Sequence, residues 1–222
     1  STEILWKYAL LTYLALLPNV AGYLSYVDCP DLLTFLFVAA VILTYGLCYM
    51  LPVFLPLLAL DWILGYEARA RGRPPTRLRS EWIVWSAAAL LATALQLLLY
   101  LDRQVYLTFD LHLNNGFIWN VLKTEGGLQS MGASDSTYFT VALVALGFLA
   151  LQAGLLAALL LYQPLRAFLG RASSRRALLA ATVLFALGAF FERATYAYSS
   201  AQNNSAVLSA APAFPLYLPF TA

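Results

Sequence analysis

Four stretches of this chain run for about a bilayer's width without one charged residue: Tyr8–Val27, Leu32–Leu60, Trp82–Leu101 and Ser136–Leu165. A helix needs about 20 apolar residues to cross the hydrocarbon core. No soluble domain of this size has an interior that could hide so many long apolar runs from water. A fifth run, Ala177–Phe191, reaches only about 22 Å as a helix. It can cross only by carrying Glu192 and Arg193 with it and continuing to about Tyr198. The expected fold class is therefore all-α, a polytopic membrane bundle of five transmembrane helices. Composition agrees: 62% of the 222 residues are hydrophobic and 11% charged, against roughly 25% charged in an ordinary soluble domain.

The same figures exclude several classes of function. A formal net charge of +2 is too small to suggest nucleic acid as a partner. One His and two Cys, Cys29 and Cys48, provide neither a disulfide framework nor the ligands of a metal site. The first apolar run is too long for a cleavable signal peptide, and no small-residue cleavage site follows it.

Orientation follows from the basic residues. Ten of the thirteen fall on one side of the expected bundle: Lys7; Arg69, Arg71, Arg73, Arg77 and Arg79; and Arg166, Arg171, Arg175 and Arg176. That side is expected to be cytoplasmic, with the N-terminus inside and, after five spans, the C-terminus outside. Trp6, Trp62, Trp82 and Trp119 fall near the expected interfaces, as an aromatic belt requires.

Loops are expected at Val27–Asp31, Tyr66–Glu81, Asp102–Asp135 and Pro164–Arg176, with an uncharged tail from Gln202 to Ala222. Pro18 in the first run, and Pro52 and Pro56 in the second, each remove a helix hydrogen bond. The second helix is longer than the bilayer requires and is expected to tilt, or to break near Pro52. Asn19, Gln96 and Gln152 place polar groups at membrane depth, where hydrogen bonding between helices is the expected use. The spacings Gly147 to Gly154 and Ala153 to Ala157 suit close helix packing. Asp135 or Ser136 is expected to cap the fourth span, and Gly126-Gly127 to form a turn.

Nothing in the chain reads as catalytic. Ser130, Ser134 and Ser136 have no accompanying general base, and no catalytic residue, metal ligand or cofactor is expected. Candidate residues cluster instead in the outer loop. Phe117, Ile118, Val121 and Leu122 have helical spacing, with Trp119 and Lys123 beside them. This describes a short interfacial helix with its apolar side turned to the membrane. Arg103, His112, Asn114, Trp119, Lys123 and Arg193 are the candidate lipid-binding residues, suited to a phosphorylated lipid at headgroup level. At the outer boundary a cross-helix ion pair is also expected, Asp102 with Arg193 or Arg103 with Glu192.

A further pattern is carried by Leu99-Tyr100-Leu101-Asp102, then Phe109-Asp110-Leu111-His112-Leu113-Asn114 and Ile118-Trp119. Far downstream it continues in Phe214-Pro215-Leu216-Tyr217-Leu218-Pro219-Phe220-Thr221-Ala222. This resembles the membrane domain of the PbgA/YejM-like inner-membrane proteins of Gram-negative bacteria. In that family five transmembrane helices precede a linker and a periplasmic domain of the sulfatase/alkaline phosphatase fold. The resemblance implies a division into a membrane domain, residues 1–201, and the start of a periplasmic linker, residues 202–222, leading to a globular domain. It implies binding of acidic phospholipid, such as cardiolipin, or of lipid A, and a role in lipopolysaccharide and outer-membrane lipid homeostasis. A regulatory protein of the inner membrane is the implied protein partner. The alternative it leaves open is the anchor of an active sulfatase-like hydrolase, or of a phosphoethanolamine or phosphoglycerol transferase.

Overall fold

The computed structural model of the protein describes residues 2–70, 77–172 and 175–217. Its described residues form an all-helical structure. Five helices are long and apolar enough to cross a membrane: α1 (Thr2–Ala21, prolonged by a 3-10 turn, Gly22–Tyr26), α2 (Leu32–Ala70), α3 (Arg77–Phe109), α6 (Asp135–Leu161) and α8 (Arg175–Gln202). Short helices fill the connections: α4 (Gly116–Lys123) and α5 (Gly127–Ser130) between α3 and α6, and α7 (Gln163–Ala172) between α6 and α8. After α8 come α9 (Ser205–Ala210) and a 3-10 turn, Ala211–Ala213.

Helix α2 is the axis of the bundle. It packs against α1, α3 and α8, while α1 and α3 together hold α6. The polar residues at membrane depth make hydrogen bonds between helices, although the side-chain nitrogens of Gln96 and Gln152 find no partner. Asn19 Nδ2 donates to the Gln96 backbone carbonyl at 2.8 Å and to Gln96 Oε1 at 3.1 Å, joining α1 to α3. Gln152 Oε1 accepts from the Tyr8 hydroxyl at 2.6 Å and from Thr12 at 3.2 Å, joining α6 to α1. In hydrocarbon no water competes for these groups, so such contacts fix which helix faces meet.

The helix starts are set locally. Asp31 Oδ1 accepts from Thr34 N at 2.7 Å, and that amide holds the Asp31 carboxyl below the usual carboxylate range. Asn115 Oδ1 accepts from Phe117 N and caps α4. Asn204 Oδ1 accepts from Ala206 N and caps α9. Free amides of a first turn are satisfied in this way.

The structure corrects several expectations. Of the two courses expected for α2, a tilt or a break near Pro52, the break does not occur: the helix runs for 39 residues through Pro52 and Pro56, with neighbours on three sides. Helices α2, to Ala70, and α3, from Arg77, both run into the stretch expected as the second loop. Arg71 and Arg73 lie outside the described residues, as do the side chains of Arg69, Arg77, Arg79 and Arg175. Asp102 is not in a loop: α3 continues to Phe109, and Asp110, at φ 51°, ends it in the left-handed region. The cap of α6 is Ser134, whose amide donates to Thr137 Oγ1 at 3.2 Å, rather than Asp135 or Ser136. A Cβ added at Gly147 or Gly154 would meet no atom of another element within 4 Å, and Ala153 and Ala157 are exposed. Helix α6 packs through Gln152, Leu156 and Leu159, which leaves its small-residue stripe facing outward. The basic segment 164–176 is largely helix α7, whose Leu169 is buried.

Candidate functional site

Chemistry concentrates where α3 and α8 end and α2 and α6 begin, here the Asp102 end of the bundle. Asp102 is 5% exposed and accepts three hydrogen bonds. Tyr23 Oη donates to Oδ2 at 2.6 Å, His112 Nδ1 approaches the same oxygen at 2.7 Å, and Leu113 N donates to Oδ1 at 2.7 Å. Two segments, the turn after α1 and the loop leading to α4, are thereby tied to one carboxylate near the end of α3. The positive φ at Asp110 reverses the chain so that His112 returns over α3 and stacks on Tyr106, with ring centroids 4.6 Å apart.

His112 Nε2 lies 2.7 Å from the carbonyl oxygen of Pro212. A carboxylate and a carbonyl are both pure acceptors, so the ring satisfies both contacts only when both nitrogens carry hydrogen. The His112 ring thus bridges Asp102 to the segment after α9. That segment is not a free tail. Val207, Ala210, Ala211, Ala213 and Phe214 are all buried, and Tyr49 Oη on α2 donates to the Pro215 carbonyl at 2.6 Å.

A second cluster lies beside the first. Tyr217 Oη donates to Glu192 Oε2 at 2.9 Å, and burial with the nearby carboxylate pushes the Tyr217 phenol up. Arg193 Nε pairs with Glu192 Oε1 at 3.0 Å, its Nη2 donates to the Tyr45 hydroxyl, and its guanidinium lies 4.8 Å from the Tyr217 ring centroid. Between the clusters opens a cleft of about 530 Å³ lined by His112, Asn114, Pro212, Phe214, Leu216 and Tyr217. Leu216 is held at φ 62°, a conformation that a bulky side chain adopts only when its surroundings impose it. Here Tyr49 holds the preceding carbonyl and Glu192 the following side chain.

The expected cross-helix ion pair does not form. Asp102 is taken by His112, and Glu192 by Arg193 and Tyr217. Helix α2 packs against both α3 and α8, and the acidic groups find partners on their own side of it. Glu192 and Arg193 do pair with each other, because the long Arg193 side chain folds back across the step between adjacent residues.

The six candidate lipid-binding residues fall into separate groups. His112 and Asn114 line the cleft, with Asn114 exposed and His112 fully engaged within the protein. Arg193 lies over the ring of Tyr217, which lines the same cleft. Arg103 lies over Gly22, where a Cβ would stand 1.6 Å from its Nη1, and Nη1 donates to the Asn19 carbonyl at 3.5 Å. It thus caps the end of α1, where carbonyls lack helical partners. Trp119 and Lys123 stand apart on α4: Trp119 is 54% exposed and Lys123 Nζ lies 5.0 Å above its ring. The expected apolar face of α4 is divided: Phe117 is 62% exposed, Val121 and Leu122 are half-buried, and Ile118 is turned into the protein. Ile118 is fully buried, and Gly127 sits so close under the Val121 carbonyl that a Cβ would come within 1.8 Å of it.

Sequence reasoning missed Tyr23, Tyr45, Tyr49, Tyr217 and the Pro212 and Pro215 carbonyls. Tyrosines inside apolar runs were the available signal, since a buried phenol usually finds a partner. Among the described residues no group of three or more His, Cys, Asp or Glu is placed to hold a metal ion.

Residues 75–222 match the family described as "Domain of unknown function (DUF3413)", and the chain belongs to that family. The match takes in α3 and all that follows, and so includes Asp102, His112, Glu192, Arg193 and the folded-back segment. No curated protein and no solved structure matches the chain.

Proposed function

We propose that this member of the family is the membrane-embedded unit of a Gram-negative inner-membrane protein, and that it holds an acidic phospholipid or lipid A at its Asp102 end. On this reading the N-terminus is cytoplasmic, the Asp102 end faces the periplasm, and a sulfatase-fold domain follows the chain. The unit then serves lipopolysaccharide and outer-membrane lipid homeostasis, with an inner-membrane regulatory protein as partner. The observation that carries the headgroup assignment is the Lys123–Trp119 pair on α4. It joins an exposed cation to an exposed indole at the level where the spans end. That is the combination an anionic headgroup above a hydrocarbon boundary recruits. Asp102 and Glu192 are already engaged within the protein, so neither opposes an anion there.

The test is the lipid that stays with the purified protein. Lys123→Ala and Trp119→Ala should each lower the ratio of anionic to zwitterionic lipid retained in detergent, read by native mass spectrometry. An unchanged ratio in the double variant contradicts the proposal.

A further inference from the structure

A second concavity of about 520 Å³ lies at the same end, between α3 and α6 and beneath the α4–α5 connection. Leu101 and Val105 on α3, Val141 on α6 and Leu122 on α4 form its apolar walls, and Gln104, Thr108 and Thr140 add polar groups. None of the described residues lining it is charged. Thr108 and Thr140 donate their hydroxyl hydrogens to the Gln104 and Ser136 carbonyls of their own helices. The side-chain amide of Gln104 makes no hydrogen bond among the described residues.

We infer that this groove seats one acyl chain of a membrane phospholipid, with the ester of that chain at Gln104. The inference deepens the proposed function and rests on its placement of the Asp102 end at a membrane surface. Lipid tails are as apolar as leucine, so no hydrophobic gain draws a chain out of the bilayer into the groove. What decides the occupant is the uncharged lining of a groove that, on the proposed placement, opens at the membrane surface. Left empty, its walls would forfeit their dispersion contacts. A flexible chain fits the space, and an ester carbonyl supplies the acceptor that the Gln104 amide lacks. Lys123 follows Leu122 on the helix that roofs the groove, so a phosphate on the same lipid lies toward the only basic side chain of α4.

The test uses the full chain reconstituted in phosphatidylethanolamine vesicles. The probe is phosphatidylglycerol or phosphatidylethanolamine carrying a photoreactive diazirine in one acyl chain, with cross-linked peptides mapped by mass spectrometry. With either headgroup, cross-links should concentrate on Val105, Leu122 and Val141 over the exposed Leu143, Leu146 and Phe190. Val141→Trp should empty the groove positions of cross-links. Lys123→Ala should lower phosphatidylglycerol labelling about two- to fivefold, the range of one exposed charge contact, and leave phosphatidylethanolamine labelling unchanged. Cross-links spread evenly over the exposed apolar residues of the wild-type chain would overturn the inference, whether or not the Val141 variant folds. Groove labelling with no preference for phosphatidylglycerol would instead sink the headgroup reading and leave the groove standing.

Discussion

Removing the Asp102 carboxylate should undo the Asp102 end of the bundle, and the cost can be worked from its partners. Asp102→Ala leaves three donors without their acceptor: Tyr23 Oη, His112 Nδ1 and Leu113 N. Tyr23 keeps a weaker bond to the Leu99 carbonyl at 3.2 Å. The His112 side chain is 13% exposed, so water can reach its freed nitrogen. Leaving a buried donor unsatisfied costs about 1–3 kcal/mol, and with these two escapes the three losses place Asp102→Ala at about 3 kcal/mol. His112→Ala should cost less, about 2 kcal/mol, because the carboxylate keeps Tyr23 and Leu113. The two losses share one contact, so the double variant should fall short of additivity by at least about 1 kcal/mol. Unfolding in mixed dodecyl sulfate–maltoside micelles, followed by tryptophan fluorescence, measures all three. Hydrogen exchange over residues 205–217 should also rise in His112→Ala, since the Pro212 carbonyl loses its donor. Additive losses, or an Asp102→Ala cost below about 1 kcal/mol, would refute the assignment of Asp102 and His112 as a coupled pair.

Two further substitutions test contacts elsewhere in the bundle. Gly22→Ala forces the end of the Arg103 side chain aside, because a Cβ there would stand 1.6 Å from Nη1; it should cost about 1 kcal/mol through the lost cap on α1. The same change in an Arg103→Ala background should cost nothing measurable in the same unfolding assay. Gln152→Leu should cost about 0.6–1.7 kcal/mol, the span measured for hydrogen bonds within membranes, and Tyr8→Phe added to it should cost no more.

The five spans were legible because each is a run of apolar residues, and helix formation in lipid follows from backbone chemistry alone. The roles of Asn19, Gln96 and Gln152 were legible for the same reason: a polar side chain at that depth has few partners to choose from. Pairing at the Asp102 end was not legible. Helix ends place Asp102, Arg103, Glu192 and Arg193 at similar depth, but depth does not say which helix stands between them. The true partner of Asp102 is His112, ten residues on, and only the left-handed turn at Asp110 brings it back. The folded segment after Gln202 was hidden by its composition, since uncharged Asn, Ser, Ala and Pro read as a tail. Its anchorage comes from backbone carbonyls, which leave no mark in a sequence, and from Phe214 and Tyr217, which do. The α4 helix was legible in its existence and spacing. Which face it buries was not, because a protein groove and a membrane surface attract the same side chains.

The account depends most directly on the Asp102 end facing the periplasm. Cys29 tests this, being an exposed thiol in the connection between α1 and α2, while Cys48 is half-buried within α2. Burial, then the neighbouring Asp28 and Asp31, push the Cys29 thiol up, so labelling belongs at mildly alkaline pH, where thiolate is present. A membrane-impermeant maleimide applied to intact spheroplasts should label the wild-type protein and not Cys29→Ser. Labelling of Cys29 only after the membrane is lysed would contradict the account, because it would place Lys123, Trp119 and both clusters in the cytoplasm.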